Sequence, residues 1–451
     1  MDKLTQPIKN FFDGFKKGDK ITRCAYFIMG SGAFLRKQFI KGYLYLSAQI
    51  LFILYMIRFG FSQLSGLTTL GTTLAGEVFD EAQGIYLYTE GHNSMLMLLF
   101  GVFCIFVIIG FFAVYFMSVR GAIANQKLVE DGKTLPEFRD ELKTLLNERY
   151  HVTILALPTI LTFAFTIAPL VFMVLIAFTN FDIDHQPPGS LFTWIGLQNF
   201  KDLLYNNKII SGTFFALLKW TFIWAIFATF LNYIFGMLLA MLINSKGIKI
   251  KKFWRTIFII SIAIPQFVSL MLMSQLLHDQ GPVNVLLMNW GVISEPIKFL
   301  TNGTLAKITV IVVNLWVGVP YTMLITSGIL MNIPEDMYES ARIDGAGPVR
   351  QFFSITLPYM LSVTTPYLIT QFIGNINNFN LIFLLTGGGP LSLDYYQAGK
   401  TDLLVTWLYK LTLTEKNYAL ASTVGIIIFV ISAVLSLVVF RKVTAKESDF
   451  Q

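Results

Sequence analysis

Eight stretches of the chain stay apolar for about twenty residues or more, the length a helix needs to cross the hydrocarbon core of a bilayer. They fall at residues 44–62, 95–118, 153–178, 213–243, 256–277, 304–330, 356–385 and 420–440. Inside a bilayer every backbone polar group must be bonded internally, which leaves helices or closed barrels. The short alternating segments of a barrel are missing, so the pattern predicts helices. Prolines fall inside four stretches: Pro158 and Pro169, Pro265, Pro320, and Pro358 with Pro366. Each lacks an N–H and kinks its helix. The fourth and seventh stretches exceed one crossing and are expected to tilt or break.

The polar segments between them set the orientation. Lys and Arg number 25 in residues 1–43, 119–152, 244–255, 331–355 and 441–451, against six in the intervening segments. Basic residues stay on the cytoplasmic side, so eight crossings with both termini in the cytoplasm are expected. Loop length does not explain the split: residues 244–255 carry Lys246, Lys249, Lys251, Lys252 and Arg255, whereas residues 63–94 hold four acids and no base. The layout is then a cytoplasmic or interfacial lead-in (1–43) and three helices with a cytoplasmic loop at 119–152 (44–178). A short external loop (179–212), five further helices (213–440) and a cytoplasmic tail (441–451) follow. The lead-in interleaves Phe11, Phe12, Phe15, Phe34 and Phe39 with Lys16, Lys17, Lys20, Arg36 and Lys37, as suits a segment lying on anionic lipid. Phe138, Leu142, Leu145 and Leu146 share one side of a predicted surface helix.

Composition agrees. Hydrophobic residues make up 55% of 451 and charged residues 14%, where a soluble domain carries about 25% charge. The first 43 residues are too polar for a secretory signal. Two cysteines, Cys24 and Cys104, exclude a disulfide scaffold. His92, His151, His185 and His278 lack metal-ligand spacing. No phosphate-binding loop ending in Gly-Lys-Ser/Thr is present, and Gly387-Gly388-Gly389-Pro390 reads as a turn. An enzyme is not expected, nor a cofactor, a metal or nucleic acid; any work from ATP must come from another chain.

One cytoplasmic segment carries the sharpest signal. Pro334, Glu335 and Asp336 are good helix-start chemistry; Met337, Tyr338 and Ala341 can share a face; Gly345 permits a sharp exit. Glu339-Ser340-Ala341, Gly345, Ile355 and Leu357-Pro358 then follow at fixed gaps over twenty positions. This resembles the cytoplasmic signature of permease subunits of bacterial binding-protein-dependent ABC importers, with Ser340 in place of alanine. The resemblance implies the all-α type I importer permease fold. It also implies a coupling helix in which Glu339 and Gly345 dock and turn against an ATPase subunit.

Further runs are similar to the larger permease subunit of the bacterial maltose/maltodextrin importer: Asn314–Tyr321, Gly374–Asn380, Leu385–Pro390 and Thr401–Val405. The likeness covers about residues 150–440 and implies that 213–440, with a coupling loop at 331–355, is the permease core and that the first three helices are peripheral. It implies a heterodimer with a second permease, two ATPase subunits that bind ATP and Mg, an extracytoplasmic solute-binding protein and residence in the bacterial cytoplasmic membrane. The enteric relative carries a folded domain where only residues 179–212 stand here, so that docking surface is expected to be missing or reduced.

A sugar path needs neutral polar groups at mid-membrane on kinked helices. Gln371, Asn375 and Asn378 form a stripe at i, i+4 and i+7; Gly318 and Tyr321 bracket Pro320; Gln266 follows Pro265. From the residues alone each amide reads as helix packing ahead of a ligand contact. The resemblance implies that Gly318, Tyr321, Asn375 and Asn378 line the sugar site. It also places Gln266 and Gln371 where the enteric relative has serines. Phe379 and Phe383 read as core or lipid contact ahead of lining the wall. Maltose or maltodextrin is the expected cargo, with a galacto-oligosaccharide or another α-glucoside as the alternative. A phosphorylated cargo fits a neutral stripe poorly. A secondary transporter or a scaffold is remote, because no Asp or Glu lies in the eight stretches.

Overall fold

The computed structural model describes residues 11–80, 84–245 and 247–448. It divides into two compact units, residues 1–195 and 196–451.

In the first unit, long helices span α1 (Phe39–Thr69), α2 (Ser94–Glu130) and α4 (Tyr150–Ile176), with the short α3 (Phe138–Leu146) between the last two. A two-stranded antiparallel hairpin, β1 (Gly76–Asp80) and β2 (Ile85–Thr89), connects α1 to α2. The apolar pattern did not predict it. The α3 helix is the surface helix read from Phe138, Leu142, Leu145 and Leu146. Glu137 and Asp140 close a reciprocal capping box at its start.

The second unit holds α5 (Lys208–Asn244), α6 (Lys251–Ala263), α7 (Gln266–Leu276), α8 (Gly303–Leu330) and α9 (Glu335–Ile343). It continues with α10 (Pro348–Ile376), α11 (Phe379–Thr386), α12 (Leu404–Leu413) and α13 (Tyr418–Ser448). Among the described residues, seven helices are long and apolar enough to cross a membrane. The expected fifth crossing is not one helix. Pro265 disfavours helical geometry at the residue before it, and Ile264 is extended (φ −79°, ψ 126°), so α6 ends and α7 starts afresh. The expected seventh stretch also breaks, at Asn377 and Asn378, where Asn378 becomes the cap of α11.

Asparagines start three spans. Asn93, Asn207 and Asn302 each accept hydrogen bonds from two backbone N–H groups at the head of α2, α5 and α8, meeting donors that lipid could not satisfy. The charge pattern assigns all three ends to the outside.

The centre of the second unit is the packing of α5 along α8 and α10. Gly236 on α5 and Gly318 on α8 let the two backbones close up. A Cβ at Gly236 would sit 2.6 Å from the Cβ of Thr322, and one at Gly318 would strike the side chain of Asn232. Around that seam, Trp220, Trp224, Val310, Val313, Leu381 and Ile382 form one apolar core cluster, and Phe214, Leu217, Trp407, Leu411 and Val424 another. Phe379 and Phe383 stack on one another at 4.8 Å and meet the Tyr409 ring, which is the core reading.

The turn after α11 is clamped from within. Gly387 and Gly388 take left-handed backbone, and a Cβ on Gly388 would collide with Asp402. Asp402 is 0% exposed. Its carboxylate accepts from Gly399 N–H (2.7 Å), Thr406 Oγ1 (2.8 Å) and Lys410 Nζ (2.6 Å).

Candidate functional site

Two places in the second unit carry the candidate residues: a polar cleft between α5, α8 and α10, and the exposed α9.

The cleft arises where α5 presents Thr229 and Asn232 toward Gly318 and Tyr321 on α8 and Tyr367 and Gln371 on α10. These residues line a cavity of about 50 Å³. That holds a water or two, whereas sites for drug-sized ligands run from about 300 Å³ upward. In this conformation the chain offers a polar wall, not a sugar-sized pocket. The lining carries no formal charge, and its donors and acceptors are hydroxyls and carboxamides. The buried Asn232 Oδ1 has no hydrogen-bond partner among the described residues. An acceptor left unpaired costs about 1–3 kcal/mol, so a hydroxyl arriving there is favoured.

Of the six candidates read from the sequence, Gly318, Tyr321 and Gln371 meet at this cavity. Asn375 and Asn378 do not line it. Asn375, only 8% exposed, donates from Nδ2 to Thr229 Oγ1 (3.0 Å), while its backbone carbonyl accepts from Trp224 Nε1 (3.0 Å). Asn378 donates to Asn375 Oδ1 (3.4 Å) and accepts from Leu381 N–H (3.3 Å). Both amides are spent on holding α10 against α5 and on starting α11, and the continuous i, i+4, i+7 stripe is broken at Asn377. Gln266 is exposed on the first turn of α7 and does not line the cavity. Gly318 acts through the close approach of α8 to α5. Thr229, Asn232, Tyr233, Thr322 and Tyr367 are polar lining residues that sequence reasoning passed over. The signal was present: Thr229 and Asn232 are polar at i, i+3 inside a 37-residue apolar helix, and Tyr367 lies one turn before Gln371.

At the other place, α9 has Glu335 and Asp336 in its first turn, and Gly345 (φ +76°) ends the excursion. Ser340 O accepts from Asp344 N–H, and Ala341 O accepts from Ala346 N–H (2.8 Å). Glu339 and Arg342 pair at 3.7 Å while remaining largely in solvent. Ile343 is 86% exposed and Val349 71%. The link to the membrane helix is the Tyr338 hydroxyl, 2.8 Å from Thr356 Oγ1. Thr356 lies in a widened, π-helical turn, Phe352–Thr356, that also contains Ile355. Leu357 N–H reaches back to Phe352 O, and Pro358 behind it has no N–H to continue the ordinary ladder. The signature residues thus converge on one helix, one turn and one hinge-like start of α10.

Residues 232–446 match the family described as the binding-protein-dependent transport system inner membrane component. The chain is 34% identical to the galacto-oligosaccharide transport system permease protein GanP of Bacillus subtilis (strain 168), covering 90% of this chain and 94% of that one. It is 33% identical to the maltodextrin transport system permease protein MalC of Streptococcus pneumoniae, covering 94% and 95%. The maltose/maltodextrin permease MalF of Klebsiella aerogenes is 36% identical over 56% of this chain but only 49% of its own length. The fold is that of a bacterial ABC transporter involved in import of the acidic polysaccharide alginate: TM-score 0.55, 24% identity, covering 68% of this chain and 99% of that one. The chain belongs to the permease family of binding-protein-dependent ABC importers. It is a non-catalytic, multi-pass subunit of the bacterial inner membrane, related to permeases for maltodextrin and galacto-oligosaccharides.

Proposed function

We propose that this permease carries a neutral oligosaccharide inward, maltodextrin foremost, as one half of a pore completed by a second, different permease. The single observation behind the reading is the uncharged wall of Thr229, Asn232, Tyr321, Tyr367 and Gln371, with an unpaired acceptor at Asn232. Hydroxyl-rich, uncharged cargo matches it, and a tyrosine ring can lie against a pyranose face. The second reading, a galacto-oligosaccharide, is favoured by the similarity to GanP.

On this account an extracytoplasmic binding protein delivers sugar to the outer mouth. Two ATPase subunits binding ATP and Mg grip one coupling helix on each permease. Their closure moves α9, Tyr338 carries the motion to Thr356, and α10 tilts against α5. Opening the α5/α8/α10 seam exposes the polar wall and the amides of Asn375 and Asn378 behind it. Gln266, beside the α6/α7 break, comes to the path from the other side. Both termini are cytoplasmic, residues 213–440 form the core, and α6 with α7 makes the broken crossing. Binding energy shifts a conformational equilibrium here, and no covalent bond is made in this chain.

The test is competition in proteoliposomes holding the full importer and its binding protein. Uptake of radiolabelled maltotriose should fall with unlabelled maltodextrins and hold against galactotriose, and Asn232→Leu should cut it about tenfold by removing the free acceptor. Uptake of radiolabelled galactotriose with none of maltotriose would hand the cargo to the second reading, and an unaffected Asn232→Leu importer would remove the wall from the path.

A further inference from the structure

One polar-lined cavity lies away from the unit that carries the candidate residues. It lies in the first unit and has a volume of about 510 Å³. One side is the turn into α1, with Arg36, Lys37, Gln38 and Lys41; the other is the start of α3, with Pro136, Arg139 and the acids Glu137 and Glu141, so bases outnumber acids four to two.

The cationic groups there are not equally occupied. Arg36 pairs with Asp19 at 2.9 Å, and Lys41 with Glu141 at 2.6 Å. Lys37 and Arg139 are exposed and pair with no acid among the described residues. Between them opens the N-terminus of α1, a helix of 31 residues. No side chain caps it, because the Gln38 amide is used elsewhere: it donates to Pro136 O (2.8 Å) and accepts from Asn125 Nδ2 (2.7 Å). An uncapped helix start presents free N–H groups and the positive end of the helix dipole. Lys37 itself is held at φ +66°, a conformation that costs a non-glycine residue energy and that packing must enforce. The rim is apolar, with Phe39 56% exposed and Ile40 and Phe138 beside it. A phosphodiester with two acyl chains matches this arrangement: negative charge for Lys37, Arg139 and the helix start, and hydrocarbon for the rim. The charge distribution puts this end of α1 at the inner membrane surface, where such lipids stand.

We propose that this cavity binds the headgroup of an anionic phospholipid and fastens the first unit to the inner leaflet. The test is native mass spectrometry of the purified full-length permease exchanged into defined detergent with phosphatidylglycerol or phosphatidylethanolamine. Phosphatidylglycerol should be retained preferentially, and the double variant Lys37→Gln, Arg139→Gln should lose about tenfold or more of it. The charge-preserving pair Lys37→Arg, Arg139→Lys should keep most of it, which separates loss of charge from loss of fold. Lys201→Gln with Lys208→Gln removes as much charge from exposed positions of the other unit and should change little. Equal retention of both lipids, or an unaltered Lys37/Arg139 double variant, overturns the proposal. Displacement of the lipid by millimolar inorganic phosphate would also overturn it, since the site would then belong to a soluble anion.

Discussion

Asp402 has no exposure to solvent, and Lys410 reaches it from two turns along α12 while keeping 17% of its own side chain exposed. That asymmetry predicts unequal consequences. Lys410→Met strands a carboxylate in the core and should cost about 3–5 kcal/mol. Asp402→Asn should cost less, because the amide oxygen can still accept from Gly399 or Thr406 and the lysine can turn to water. Thermal unfolding of the detergent-purified permease would measure both, and equal losses would contradict this ordering. The pattern alone did not mark the pair, because Asp402 stands before the start of α12 and helical spacing does not set where its side chain points. Likeness singled out residues 401–405; the physical reason is that the carboxylate of Asp402 holds the turn carrying Gly388 and Gly399.

Breaks in helices decide what the elements do. The apolar run over residues 356–385 reads as one long crossing, yet α10 and α11 meet at Asn377, and the side chain that looked like a third ligand caps the second piece. Hydrophobicity reports that residues belong in the membrane and is blind to a change of helix axis. Proline is the better marker, and the break after Ile264 is legible from Pro265. The excursion of α9 was legible too, because acidic residues, a helical face and a glycine agree on one short helix. What spacing could not supply is the bond from Tyr338 to Thr356, made between residues eighteen apart. If that bond carries motion from lever to span, Tyr338→Phe should leave the ATPase bound while lowering sugar moved per ATP hydrolysed about two- to fivefold, as expected for a hydrogen bond worth about 1 kcal/mol. Simultaneous measurement of uptake and phosphate release checks it; an unchanged ratio would make the bond a packing detail.

At the scale of the whole chain, pattern and charge were enough for a helical membrane protein, the resemblance carried by Glu339 to Pro358 supplied the importer permease, and the similarity to GanP and MalC over nine-tenths of the chain agrees. The polar wall was only half legible. Gly318, Tyr321 and Gln371 meet as expected, but Thr229 and Asn232 stand on a helix whose apolar length hid them. A polar wall facing a 50 Å³ cavity has a use only if the helices around it move. Everything therefore depends on α9 being held by an ATP-hydrolysing subunit, with Ile343 and Val349 as the apolar contacts and Gly345 as the turn. The direct measurement is co-purification of the ATPase from membranes expressing the importer with Glu339→Ala and Gly345→Val combined. β-Branched valine cannot adopt the +76° backbone without strain. The account predicts normal amounts of permease in the membrane, loss of most of the bound ATPase and collapse of sugar uptake. Full recovery of the ATPase with undiminished uptake would contradict it.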